Sequence, residues 1–109
     1  MSKTVHMDFK DIGYEDQWAD LEDPRDYSQR HFEAVVGEMQ TAQKDAAVAE
    51  KFFRDRIASW HVVDGDSGEA MNDPKVDDLK GVSVAVSLAI GQKITELFEA
   101  TVPFRSRKD

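Results

Sequence analysis

Between Ser28 and Trp60 the large apolar residues return at the spacing of an α-helix, and this periodicity constrains the fold more than any other feature of the chain. Phe32, Val35, Val36 and Met39 stand at i, i+3, i+4 and i+7, one stripe of an amphipathic helix facing away from Arg30 and Glu33. Ser28 can cap it, and Asp23-Pro24 is an earlier start signal, with a side chain to accept free amides and a proline suited to the first helical position. The spacing predicts a first helix over residues 28–41. A second pattern, Ala46, Ala49, Phe52, Phe53, Ile57 and Trp60, lies in a stretch rich in Ala, Glu, Lys and Arg, which lose little entropy on becoming helical. It predicts a second helix over 44–59. The intervening Gln40–Asp45 holds neither Gly nor Pro, so two helices and one bent helix both remain open.

The last apolar segment fits two periods. Val82, Val84, Val86, Leu88 and Ile90 alternate like a strand, whereas Val86, Ile90, Ile94 and Leu97 follow helical spacing. Its length favours a helix over 81–100, with Gly91 as the weak point, since glycine costs about 1 kcal/mol in a helix interior relative to Ala. Upstream, Val5, Met7 and Phe9 alternate with polar residues, the pattern of a short strand or extended arm. Residues 13–23 offer only Tyr14, Trp18 and Leu21 as large apolar groups among many acids, and read as a loop or frayed segment able to order on a partner. His61-Val62-Val63 is short and β-prone. Asp64–Glu69 is dense in turn formers, and Asn72-Asp73-Pro74 marks a further loop.

The fold expected from these readings is mainly α, a small domain of about three helices preceded by a short strand or arm. Its predicted core anchors are Phe32, Val36, Phe53, Ile57, Trp60, Ile94 and Leu97. With 109 residues the chain has room for one core. The expected organisation is an acidic arm or loop (1–27), a helical domain (28–100) and a basic tail (101–109).

Charge narrows the function classes. The net charge is -8, and residues 1–27 carry Asp8, Asp11, Glu15, Asp16, Asp20, Glu22, Asp23 and Asp26 against Lys3, Lys10 and Arg25. Such a balance disfavours nucleic acid, whose phosphates are bound by Lys and Arg that displace counterions. No run of about 18 apolar residues suits a membrane span, and residues 1–6 lack the apolar stretch of a signal peptide, so the expected location is cytoplasmic. With no cysteine, thiolate catalysis, disulfides and Cys-built zinc sites are excluded.

Chemical motifs are sparse. Asp64, Asp66 and Gly68 resemble the opening of a calcium loop, but its twelfth position is Lys75 rather than an acid, so the segment reads as a turn. His6, His31 and His61 form no ligand pair at metal spacing. Ser59, Ser67, Ser83 and Ser87 lack a nucleophile-elbow context, and Gly65 and Gly68 lack the Lys and Ser/Thr of a phosphate loop. The expectation is therefore a protein without catalytic, cofactor or metal residues. Trp60, at the end of a predicted amphipathic helix, reads as a core anchor, whereas Trp18, surrounded by acids, reads as a partner contact. Phe104, beside Pro103 and ahead of Arg105 and Arg107, is a second candidate docking group, the two arginines with it.

The passage from Phe52-Phe53-Arg54-Asp55-Arg56 through Ile57-Ala58-Ser59-Trp60-His61-Val62-Val63 to Asp64-Gly65-Asp66-Ser67-Gly68-Glu69-Ala70-Met71 resembles the middle of small tail assembly chaperones of long-tailed, siphovirus-type bacteriophages. In that family a helix ending in Trp leads through an Asp-plus-Gly turn and a loop to a final amphipathic helix, here 81–100. The acidic Tyr14–Asp26 segment lies outside the pattern. The resemblance implies a helper that binds the tape measure protein, tail tube subunits or both, in the host cytoplasm. Two other classes fit the residues: a small acidic inhibitor that mimics nucleic acid, and a structural subunit of a phage particle. The oligomeric state is left open, self-association included.

Overall fold

The computed structural model describes residues 3–101, and its first departure from expectation is a sheet. Among these residues the order is β1 (Thr4–Phe9), β2 (Tyr14–Glu22), α1 (Gln29–Ala42), α2 (Ala46–Arg56), β3 (Ile57–Val63), β4 (Ala70–Met71) and α3 (Val84–Thr101). Short 3-10 turns at Lys10–Ile12, Pro24–Asp26 and Leu79–Gly81 join them. The strands form one antiparallel sheet in the order β1-β2-β3-β4. The fold is α+β, which overturns the mainly α expectation.

Two segments account for the difference. Residues 14–22, expected as a loop, are the long strand at the heart of the sheet, paired on both sides. Its buried face offers only the small Ala19 and Leu21, both 0% exposed, so the apolar half of its alternation is nearly invisible in sequence. The second helix stops at Arg56, and Ile57–Val63 is a strand. Ile57 and Trp60 stand three apart, as in a helix, yet both are buried. The register slips between Asp20 and Leu21, which face Ser59 and Ile57, leaving Ala58 as the extra residue of a β-bulge. A bulge shifts the alternation by one and brings an i, i+3 pair to the same face. The predicted helix ending in Trp is therefore a helix ending at Arg56 followed by a strand that carries Trp60. Residues 4–22, expected as an arm, contribute Phe9, Ala19 and Leu21 to the core shared with the helices.

The other helices lie close to their predicted spans, and the caps explain where they begin. Asp23 caps the 3-10 turn through the Arg25 amide, and Ser28 caps α1 through the His31 amide at 3.1 Å. Asp45 accepts from the amides of Ala47 and Val48, so α1 and α2 are separate elements although neither Gly nor Pro divides them. The helices cover one face of the sheet. Val35, Phe52, Val86, Ile90, Ile94 and Phe98 meet Phe9, Leu21, Ile57, Trp60, Val62 and Met71 in a single cluster. Of the predicted anchors, Ile57, Trp60 and Ile94 are buried, while Phe32, Val36, Phe53 and Leu97 are partly buried against that cluster.

Trp60 is 1% exposed, and its indole N–H donates to Asp77 Oδ2 at 2.9 Å. The same oxygen accepts the Asp73 amide at 2.7 Å, so the loop before α3 is pinned beneath the ring. The Asp64–Glu69 turn is closed by Asp64, whose Oδ1 accepts from the amides of Asp66 and Ser67. Gly68 sits at φ +78°, where a side chain would be strained.

Candidate functional site

With helices on one face, the other face of the sheet is open, and it gathers side chains from β1, β2 and β3. Trp18 lies opposite His61 across the β2–β3 pair and diagonal to His6 on β1. The ring centroids are 5.6 Å apart for His6 and Trp18 and 6.5 Å for Trp18 and His61, with interplanar angles of 34° and 27°. Cross-strand neighbours on a pleated face stand this close whenever both carry rings. The indole predicted as a partner contact is thus half-buried between two imidazoles, with the open face of the sheet around it.

Polar contacts fix the row. His6 Nδ1 lies 2.6 Å from Asp20 Oδ1, the Ser59 hydroxyl donates to Asp20 Oδ2 at 3.3 Å, and His61 Nδ1 lies 2.6 Å from Asn72 Oδ1. A serine, a histidine and an aspartate meet here, but the bonds run Ser59–Asp20–His6. In a nucleophilic triad the imidazole stands between the hydroxyl and the carboxylate and takes the hydroxyl proton. Here Asp20 occupies the middle, and the Ser59 hydroxyl faces a carboxylate rather than an imidazole. Among the described residues no group of three or more His, Asp or Glu side chains is arranged to hold a metal ion.

A second polar knot lies where β2, the 3-10 turn and α2 converge. Arg56 is 5% exposed, stacks over Phe52 and Tyr27 at 5.1 and 5.8 Å, and donates to the Tyr27 hydroxyl at 3.1 Å. Tyr27 in turn donates to Glu22 at 2.6 Å, and the Arg56–Glu22 distance is 3.9 Å. Burial, and then the bond to Glu22, pushes the Tyr27 phenol well above its usual range, so it stays a donor. Among the described residues Arg56 Nε has no hydrogen-bond partner. The guanidinium lies against two rings, and this cluster acts as a structural tie.

The outward side of α3 is a different surface. Val84 and Leu88 are 74% and 61% exposed, opposite the buried Val86, Ile90, Ile94 and Phe98. Ser87, Leu88, Gly91, Gln92, Thr95 and Glu96 line a shallow groove there. It continues through Gln92 and Glu96 to Ile12, Ala89 and Lys93 beside Asp8 and Asp11.

No family model, curated protein or solved structure matches this chain. The surfaces themselves must carry the functional reading.

Of the predicted docking groups, Trp18 is on the open sheet face, and Phe104, Arg105 and Arg107 lie outside the described residues. The sequence reading missed His6, Asp20, Ser59 and His61 as neighbours because they come from three strands whose register only the fold sets. It also passed over Val84 and Leu88. Their signal was present, since these members of the apolar alternation are the ones a helix cannot turn inward. Among the described residues no helix is long and apolar enough to cross a membrane.

Proposed function

We propose that this chain is a non-catalytic protein-binding module that serves as a phage tail assembly chaperone, holding the tape measure protein, tail tube subunits or both in the host cytoplasm before assembly. The observation that carries the binding role is the outward face of α3, where Val84 and Leu88 are exposed on a helix whose opposite side is core. Contiguous exposed apolar side chains mark contact surfaces where lone ones do not, and Val84 and Leu88, four apart on the helix, are neighbours. A chain of net charge -8 keeps such a face soluble while it waits for a partner. The identity of the partner rests on the resemblance of residues 52–71 to the chaperone family.

The test is to sequence the DNA flanking this gene and, where it encodes a tape measure protein, to co-express the two. A chaperone keeps that protein soluble, co-purifies with it and is absent from purified virions. Insoluble tape measure protein with or without this chain refutes the reading. Presence in virions points to a structural subunit instead. The acidic-inhibitor reading is favoured by a separate observation, the carboxylates of Asp8 and Asp20 on the open sheet face. Binding to a basic nucleic-acid enzyme that collapses with added salt would select it over the chaperone.

A further inference from the structure

Gly91 is in the middle of an 18-residue helix, where glycine weakens the structure relative to alanine. Nothing among the described residues requires it. Its φ is not positive, and a Cβ built there would meet no atom within 4 Å. The missing side chain therefore leaves a notch on the outward side, between Ser87 and Leu88 one turn before and Thr95 one turn after. Leu88 and Val84 continue the same face, and the groove runs past Gln92 to Ile12, itself 42% exposed. Its charged lining is Asp8, Asp11 and Glu96 against Lys93 alone, and Lys93 Nζ is 3.7 Å from Glu96.

We infer that this groove docks an amphipathic helix carrying Lys or Arg beside its apolar stripe, with one large apolar side chain seated over Gly91. The inference rests on the protein-binding reading and specifies its partner. A notch between side chains one turn apart suits the ridge of another helix, because helices pack ridge into groove. The acidic rim selects a basic flank. A second copy of this chain would bring the same rim and the same net charge of -8 against itself, so the complementary occupant is a different molecule.

The probe is a fluorescein-labelled synthetic helix with leucines at i, i+4, i+7 and i+11 and lysines beside them, read by anisotropy against the full chain. Its controls carry glutamate for lysine, or the same residues scrambled. The lysine helix is expected to bind at least about tenfold tighter than either control, a difference of about 1.4 kcal/mol. Gly91→Leu should weaken it about tenfold or more while leaving the melting temperature unchanged or higher, because the added side chain fills only the notch. Asp11→Lys combined with Glu96→Lys should weaken it similarly, and Trp18→Ala on the open sheet face should not.

Equal binding of the scrambled peptide, or unaltered binding by Gly91→Leu, overturns the inference. So does a dimer in sedimentation that Gly91→Leu splits, since the groove would then belong to a second copy. Failure here is separable from failure of the chaperone reading. If Gly91→Leu still holds the tape measure protein, the groove assignment falls and the chaperone stands. If the unaltered chain binds the lysine helix through Gly91 but never the tape measure protein, the reverse holds.

Discussion

Replacing Trp60 tests the central claim about how this sheet is held to its helices. The ring is 1% exposed in the main cluster, and its N–H reaches Asp77 Oδ2 at 2.9 Å. Truncating a buried aromatic to alanine costs about 3–5 kcal/mol, a large part of the roughly 5–15 kcal/mol that holds a domain together. Trp60→Phe is the more informative change. It keeps a ring in the core but removes a hydrogen bond to a carboxylate, and Asp77 still receives the Asp73 amide. The expected cost is about 1.5–2.5 kcal/mol. With a urea m-value of about 1–1.5 kcal/mol/M for a chain of this size, the midpoint should fall by about 1–2.5 M. Circular dichroism at the helix band should follow the transition, because the substitution alters the fluorescence. Asp77→Ala should cost about 1 kcal/mol less when Trp60 is already Phe, keeping the part that comes from the Asp73 amide. Trp18→Ala, on the open sheet face, should cost under about 1 kcal/mol. If Trp18→Ala destabilises more than Trp60→Ala, or if the Trp60 and Asp77 effects are additive, the assignment of core and surface indoles is wrong.

Two glycines make opposite predictions. Gly81→Ala would drive a Cβ into Asp64 Oδ2 and to 2.7 Å from its Cγ, so the Asp64 carboxylate must shift and its bonds to the Asp66 and Ser67 amides weaken. The expected loss is about 1–2 kcal/mol in chemical unfolding, and it should shrink in an Asp64→Ala background. Gly91→Ala has open space and should stabilise by about 0.5–1 kcal/mol, which a lowered melting temperature would contradict. Acid sensitivity follows from Asp23, whose carboxyl is held below its ordinary value of 3.8 by the Arg25 side chain first and the Arg25 amide as well, against the opposing effect of burial. A depressed folded pKa means the stabilisation is complete above the unfolded value and is lost as pH falls through the folded one. The urea-midpoint gap between the native chain and Asp23→Asn should therefore hold from neutral pH down to about 5, then close below 3.8; a gap that persists in strong acid would refute this role.

What the sequence determined by itself was local. The stripe Phe32–Val35–Val36–Met39 and the cap at Ser28 mark α1, and Val86–Ile90–Ile94 marks α3, because a helix closes its hydrogen bonds within a few residues and writes its buried face at one period. The turn at Asp64–Glu69 was legible for the same reason, its own side chains supplying the contacts. The separation of α1 from α2 was readable only in part, since Asp45 is a cap that either reading tolerates.

The sheet was decided by tertiary structure. β2 buries no more than Ala19 and Leu21 on its inner face, and what makes it a strand is pairing with β1 and with β3, more than thirty residues further along the chain. The bulge at Ala58 disguised β3 as helix by setting Ile57 and Trp60 three apart on one face. The candidate surfaces divide in the same way. Leu88 and Gly91 share a helix face that the sequence spells out by spacing. The row His6–Trp18–His61 exists only because three strands lie side by side in one register, and register is a property of backbone pairing between distant segments that no local pattern records.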